Sequence, residues 1–297
     1  MGVHVKATGI AVAHVTSFDT DMPQLSSCSF VAANDAASRA DALKELVESQ
    51  ALKGLPVNYV LSPEHYNLLQ VEPPKVPPEE LKDALRWHVK DLISFDINDA
   101  VVDTFPLPEE AFRNRPAMVY VVVAKRSVIE EAEQLINGAG LTLRSVDIAE
   151  LSLCNLMPDD DQQAKGAALV LLQNGEGVLN LIKNKMLYLT RNVKADPEKM
   201  RGGELLSNAT FNHLVLEVQR SLDYYESGLA QPPATRLLVA PVGDEQSTLC
   251  DALDVSFGLW AMSLDLATVL PGSEEIVPEE QAKCVLAMAA AMRQGPA

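Results

Sequence analysis

Short apolar runs separated by polar turns open the chain. Residues 3–5 and 10–15 alternate or run apolar, with 6–9 between them as a turn, and 28–32 gives a third short strand. The period then changes. Leu43, Leu46 and Val47 recur at helical spacing within a helix expected over 36–53, and Gly54 is a natural stop. Residues 57–61 return to strand. The second half repeats this order: strands at 167–172, 178–182 and 186–193, with turns at 174–175 and 183–185. A long helix follows over about 204–225. Leu214, Val218 and Leu222 form its stripe, with Leu205, Phe211 and Leu216 near the edges. A strand at 236–240 and a helix at 244–253 complete the unit. Three antiparallel strands, a helix, a strand and a helix, occurring twice, predict an α/β fold of two related domains facing each other across a cleft. The expected domains are 1–157 and 164–297, with a C-terminal helix over about 278–293 packing back on the first.

The boundary falls in the acidic loop 158–163. Its Asp159, Asp160 and Asp161 could be read as metal ligands, but adjacent residues in a polar linker do not converge easily on one ion. A segment of about 62–116 interrupts the first domain. It carries Pro73, Pro74, Pro77 and Pro78, and Pro78 opens a helix with Glu79 and Glu80 in its first turn, where the helix dipole favours acids. That helix is expected to reach Leu92, with Leu81, Leu85, His88 and Leu92 on one face. Trp87 falls on the opposite flank, near Glu80 and Asp91. An exposed tryptophan there, with Arg86 and Lys90 beside it, is a candidate protein contact. The competing reading packs Trp87 against the segment's own strands.

Composition removes several function classes. The 297 residues carry a formal charge of -17, which argues against binding duplex nucleic acid, where phosphate neutralisation needs a basic face. It also disfavours broad adhesion to an anionic membrane. Cys28, Cys154, Cys250 and Cys284 are scattered, form no C-x-x-C pair and have mostly apolar or small neighbours; they read as buried thiols in a reducing compartment. The N-terminus lacks a signal-peptide pattern. The apolar stretches 255–264 and 284–292 are too short to span a membrane and read as core elements. Membrane association is therefore expected only through a partner, or through a longer parent chain.

Several segments resemble a known family. The run Val71-Glu-Pro-Pro-Lys-Val-Pro-Pro-Glu-Glu-Leu-Lys-Asp-Ala-Leu-Arg-Trp-His-Val-Lys-Asp-Leu-Ile93 resembles the MshI proteins of MSHA pilus biogenesis. So do Tyr120-Val-Val-Val-Ala-Lys125, Val146-Asp-Ile-Ala-Glu-Leu151 and Glu217-Val-Gln-Arg-Ser-Leu-Asp-Tyr-Tyr-Glu-Ser227. MshI is in turn similar to PilM, a cytoplasmic protein of type IV pilus assembly. The resemblance implies an actin-like ATPase fold, duplicated in the ribonuclease H manner and of the FtsA and PilM type, with the 62–116 segment as its inserted subdomain. It implies a cytoplasmic protein held at the inner membrane by a partner. That partner would be the cytoplasmic N-terminal peptide of a PilN-like membrane protein, docked beside the insertion. A further implied partner is the pilus assembly ATPase.

Actin-like ATPases hold phosphate and metal with two β-hairpins, each bearing an Asp and glycines. A PilM-like first hairpin reads Gly-Ile-Asp-Ile-Gly-Ser-Ser-Ser-Val-Lys. Here the stretch is Gly2-Val-His-Val-Lys-Ala-Thr-Gly-Ile-Ala11, so His4 stands at the Asp position, Lys6 at the Gly and Ala11 at the Lys. In the second hairpin, Leu169-Val-Leu-Leu-Gln-Asn-Gly175, Leu172 or Gln173 stands where Asp is expected. The adenosine-side turn, Leu237-Leu-Val-Ala-Pro-Val-Gly243, keeps one glycine of a pair. Lys6 could still bind phosphate as a point charge, and His4 could be a metal ligand or simply packed. Gly175-Glu-Gly177 reads as a hairpin turn rather than a dinucleotide loop. Arg201-Gly-Gly203 reads as a loop before the long helix, with a phosphate turn as the alternative. No P-loop, G-x-S-x-G or H-E-x-x-H occurs. The sequence thus predicts a non-enzymatic adaptor with no cofactor, against the alternative of a nucleotide-binding ATPase or nucleotide-gated switch, or an actin-like fold serving some other partner.

Overall fold

The computed structural model describes residues 1–16, 22–112, 116–160, 162–173, 175–201, 204–258 and 260–293. The first half begins with strands β1 (Gly2–Lys6), β2 (Gly9–Thr16) and β3 (Gln24–Ala32), then helix α1 (Ala36–Ser49) and strand β4 (Pro56–Leu61). Asp35 starts α1 by accepting the amide of Ser38, whose hydroxyl lies against the Asp35 amide in return. The helix stops at Ser49, short of the expected Lys53, because Ala51 takes a φ of 55°. The insertion follows with β5 (Tyr66–Val71), helix α2 (Pro78–His88), β6 (Ala100–Pro106) and β7 (Val119–Lys125). Helix α3 (Arg126–Gly138), strand β8 (Thr142–Ile148) and short helix α4 (Ala149–Cys154) return to the main body.

The second half comprises β9 (Ala167–Gln173), β10 (Glu176–Lys183), β11 (Met186–Val193), α5 (Ala209–Asp223), β12 (Arg236–Val239), α6 (Gln246–Phe257), β13 (Trp260–Ser263) and α7 (Pro278–Ala291). Asn208 caps α5 through the amides of Thr210 and Phe211, so the α-helix begins later than expected, behind a single turn at Leu205–Ser207.

Two five-stranded sheets have the orders β3-β2-β1-β4-β8 and β11-β10-β9-β12-β13. In each, the first three strands pair antiparallel and the last two add in parallel. The duplication read as a pattern of elements is therefore also one of strand order and direction. The insertion forms its own sheet, β5-β7-β6, covered by α2.

The halves exchange helices. α7 lies on β1 and β2 of the first sheet, and α4 touches β10 and β11 of the second. The approach of α7 is close: a Cβ on Gly2 would meet the Ala287 carbonyl oxygen at 1.9 Å and the Ala291 nitrogen at 2.5 Å. Asn58 donates to the Ala290 carbonyl at 2.9 Å, Asn155 to Ala289 at 3.1 Å, and Arg293 pairs with Asp147 at 2.8 Å. The insertion adds a third tie, since Glu110 accepts from Lys183 at 3.1 Å and its carbonyl accepts from Gln231 at 2.8 Å.

Two sequence readings need correction. α2 ends at His88 rather than Leu92; Val89 takes the inward place, and His88 and Leu92 are exposed. The stretch 284–292 is core, but 255–264 is not, because Val255, Trp260 and Met262 are exposed. In the boundary loop, Arg236 grips both oxygens of Asp160, at 2.6 and 3.1 Å, while Asp159 lies 3.5 Å from Lys185. Asp161 lies outside the described residues. Among the described residues, no helix is long and apolar enough to cross a membrane.

Candidate functional site

A cavity of about 290 Å³ opens between the sheets where β1 and β9 end. Its lining includes His4, Lys6, Ser62, Glu64, Leu171, Gln173 and Asn192, with Ala149 of α4 and Leu286 of α7 at its back. The two hairpins close alike, Lys6 pairing with Gly9 and Gln173 with Glu176. Counting back from each turn makes Lys6 equivalent to Gln173, and His4 equivalent to Leu171. This corrects the placement of the second hairpin: Leu172 is turned into the core, and Leu171, missed in the sequence, shares the cleft with Gln173. Alternation along a strand imposes that choice. Ala11 faces His4 across the first hairpin and is fully buried. Asn174 of the second turn lies outside the described residues, as do Gly202 and Gly203.

His4 is buried, with its Nε2 3.2 Å from the Ser62 hydroxyl. That hydroxyl donates to the Val5 carbonyl at 2.7 Å, so Nε2 carries the proton and donates to Ser62. Nδ1 is then a buried acceptor with no partner among the described residues. Burial, with Lys6 and His65 nearby, pushes the imidazole pKa down to about 3, so His4 is neutral. Lys6 is also buried and makes no ion pair among the described residues. Burial pulls its pKa down to about 8, with Lys283 adding to the effect and the Cys284 thiol opposing it. Gln173 is committed elsewhere, its amide donating to the Ala282 carbonyl of α7 at 3.1 Å.

On the adenosine side, Gln246 closes the turn internally. Its oxygen accepts from the Val242 amide at 2.8 Å and its nitrogen donates to the Val239 carbonyl at 2.9 Å. Among the described residues, no group of three or more His, Cys, Asp or Glu side chains is placed to hold a metal ion.

A second concave region of about 380 Å³ lies where the insertion meets the first half. Phe95 and Asp99 form one wall, and Lys125, Arg126, Ser127 and Glu130 the other. The Lys125 ammonium sits 5.5 Å from the Phe95 ring centre, and Arg126 reaches the Ala100 carbonyl at 3.4 Å. Arg86, expected as a contact residue, turns inward and donates to the Ile97 carbonyl, pinning the loop that supplies Phe95 and Asp99. Trp87 and Lys90 do not line this groove. Trp87 is 61% exposed, so it does not pack on the insertion's own strands, and Lys90 is exposed as well. Nothing in the helical periodicity marked Phe95, Lys125 or Arg126, because the groove is made by a loop and a strand–helix junction distant in sequence.

No family model and no curated protein sequence matches this chain. Solved structures do. The chain is similar to a structure described as the PilM–PilN type IV pilus biogenesis complex, with a TM-score of 0.73 and 20% identity over 98% of each chain. The fold is actin-like. A second similar structure is the cytoplasmic domain of EpsL, an inner-membrane component of the type II secretion system of Vibrio cholerae. Its TM-score is 0.52 and its identity 16%, over 80% of each chain. The cavity is bounded by the two hairpins of this duplicated fold.

Proposed function

We infer that this protein is a cytoplasmic adaptor in the assembly platform of a type IV, MSHA-like pilus, acting by protein docking rather than by nucleotide hydrolysis. The observation that carries this reading is full-length similarity to PilM, a protein seen in complex with PilN, together with a groove at the root of the insertion. In this reading the cytoplasmic N-terminal peptide of a PilN-like inner-membrane protein docks there, and that attachment holds the adaptor at the membrane. Arg86 positions the groove wall, and Trp87 and Lys90 extend the docking face along α2. The assembly ATPase is a further partner.

The hairpin residues do not fit a magnesium–nucleotide. Magnesium takes carboxylate and phosphate oxygens, whereas the hairpin residues lining the cleft include His4, Lys6, Leu171 and Gln173 and, among the described residues, no carboxylate. Glu64, from the turn after β4, is the one carboxylate in the lining among the described residues. One observation favours the second reading, a nucleotide-gated switch: Lys6 is a buried cation that faces a cavity and has no ion pair among the described residues. Co-purification decides the main reading. The tagged protein should retain a PilN-like protein from detergent-solubilised inner membranes of its own host, identified by mass spectrometry. Recovery of other inner-membrane proteins without it would refute the proposal.

A further inference from the structure

β13 is the outer strand of the second sheet, paired on one side with β12 alone. The Leu264 amide donates to the Val239 carbonyl at 2.8 Å, so alternation turns the amides of Trp260 and Met262 toward β12 and those of Ala261 and Ser263 outward. The outward Ala261 amide meets an Asp254 carboxylate oxygen at 3.4 Å, longer than an ordinary hydrogen bond. Trp260 and Met262 share one face of the strand. They are 75% and 40% exposed, and Val255 near the end of α6 is 73% exposed. An unpaired strand bearing an exposed tryptophan is the arrangement proteins ordinarily blunt with lysine or proline. Here, among the described residues, it is left open.

The surroundings fix the chemistry of what would cover it. Between Arg236 and Lys283 the chain carries Asp244, Glu245, Asp251, Asp254, Asp265, Glu274, Glu275, Glu279 and Glu280, and no lysine, arginine or histidine. A concavity of about 550 Å³ beside the strand is lined by Ser263 together with Asp244 and Asp251. A second copy would bring like charges together, and an anionic lipid surface would be repelled in the same way.

We propose that the β13 edge binds an extended cationic segment of another protein, which adds as a strand outside β13. The segment's backbone carbonyl would replace Asp254 at the Ala261 amide. The freed Asp254 carboxylate, with Asp244 and Asp251, would then face lysine or arginine side chains, and an apolar residue of the segment would cover Trp260. This surface is separate from the groove beside the insertion, so either proposal can fail without the other.

The test uses the full chain carrying Trp87→Phe, so that Trp260 alone reports by fluorescence. The probe is an octapeptide alternating lysine and valine. Saturable binding with a blue shift of Trp260 emission is expected. Asp254→Asn should weaken it at least tenfold, and methylation of alternate peptide nitrogens should abolish it. Equal binding of the N-methylated peptide would reduce the interaction to charge alone and overturn strand addition, as would no emission shift at saturating peptide. A concentration-dependent dimer dispersed by Trp260→Ser would overturn the cationic occupant in favour of a second copy.

Discussion

Lys6 and Gln173 are equivalent residues of two duplicated hairpins: each immediately precedes its turn, and each faces the same cleft. Their fates differ. Gln173 is bonded to α7, whereas Lys6 is a buried cation that makes no ion pair among the described residues. The fall of its pKa from 10.5 to about 8 corresponds to about 3 kcal/mol of disfavour for the charged form. Below pH 8 the lysine is charged in both the folded and unfolded chain, and the penalty is complete. Between about 8 and 10.5 the folded chain has released the proton and the unfolded chain has not, so stability rises with pH. Lys6→Met should therefore raise the melting temperature by several degrees at pH 7, and the gain should shrink above pH 8. A Lys6→Met melting temperature below wild type would show that the charge is satisfied.

His4 gives the acid counterpart. Its folded pKa of about 3 lies below the ordinary 6.5, so protons bind the unfolded chain preferentially between those values and stability falls as pH drops through that window. His4→Gln should remove part of this acid sensitivity. Urea midpoints at pH 7 and pH 4.5 check it: the wild type should lose more than the variant, and equal losses would contradict burial as the cause.

The reading of the cleft predicts no specific Mg-ATP binding. A ligand at a hundred times its dissociation constant stabilises by about 2.7 kcal/mol. Melting curves at about 1 mM Mg-ATP should superimpose on those without it. A saturable upward shift, or nucleotide released from the purified protein, would favour the switch.

The close seat of α7 makes Gly2 a sensitive position, because a Cβ there would strike backbone atoms, which cannot rotate away. Gly2→Ala should cost on the order of 1–3 kcal/mol, with a lower urea midpoint. An unchanged midpoint would mean that α7 sits farther from β1.

The four cysteines should alkylate as four free thiols under denaturing conditions. Cys28 and Cys284, 256 positions apart, meet across β3 and α7, and the thiol–thiol hydrogen bond together with burial raises the Cys28 pKa. In the native protein Cys28 should therefore react slowly at neutral pH. Intact-mass measurement counts the thiols, and finding two would place a disulfide in the protein.

Most of the fold was legible because strands and helices announce themselves by period. The duplicated strands, α1, α5 and the Pro78 start of α2 lie within a few residues of their expected positions. Less was legible of the sites. A strand pattern does not say which of two neighbours faces a cleft; the sequence leaves Leu172 and Gln173 open at the Asp position, and the hairpin register puts Leu171 there. Arg86 carried the right chemistry for docking, but the carbonyl it binds, Ile97, comes from a loop that no periodicity describes. The β13 strand was hidden by its own apolarity: 255–264 reads as core by composition, and only the sheet order shows that it is an edge.

The docking claim is tested most directly by titrating the full chain against a labelled peptide of the cytoplasmic N-terminus of the PilN-like protein from the same host. Saturable binding is expected. Arg126→Glu, in the groove, and Trp87→Ala, on α2, should each weaken it by roughly thirtyfold, equivalent to about 2 kcal/mol, while circular dichroism stays unchanged. Normal binding by folded variants throughout the insertion, with binding lost through changes in the second half, would contradict it.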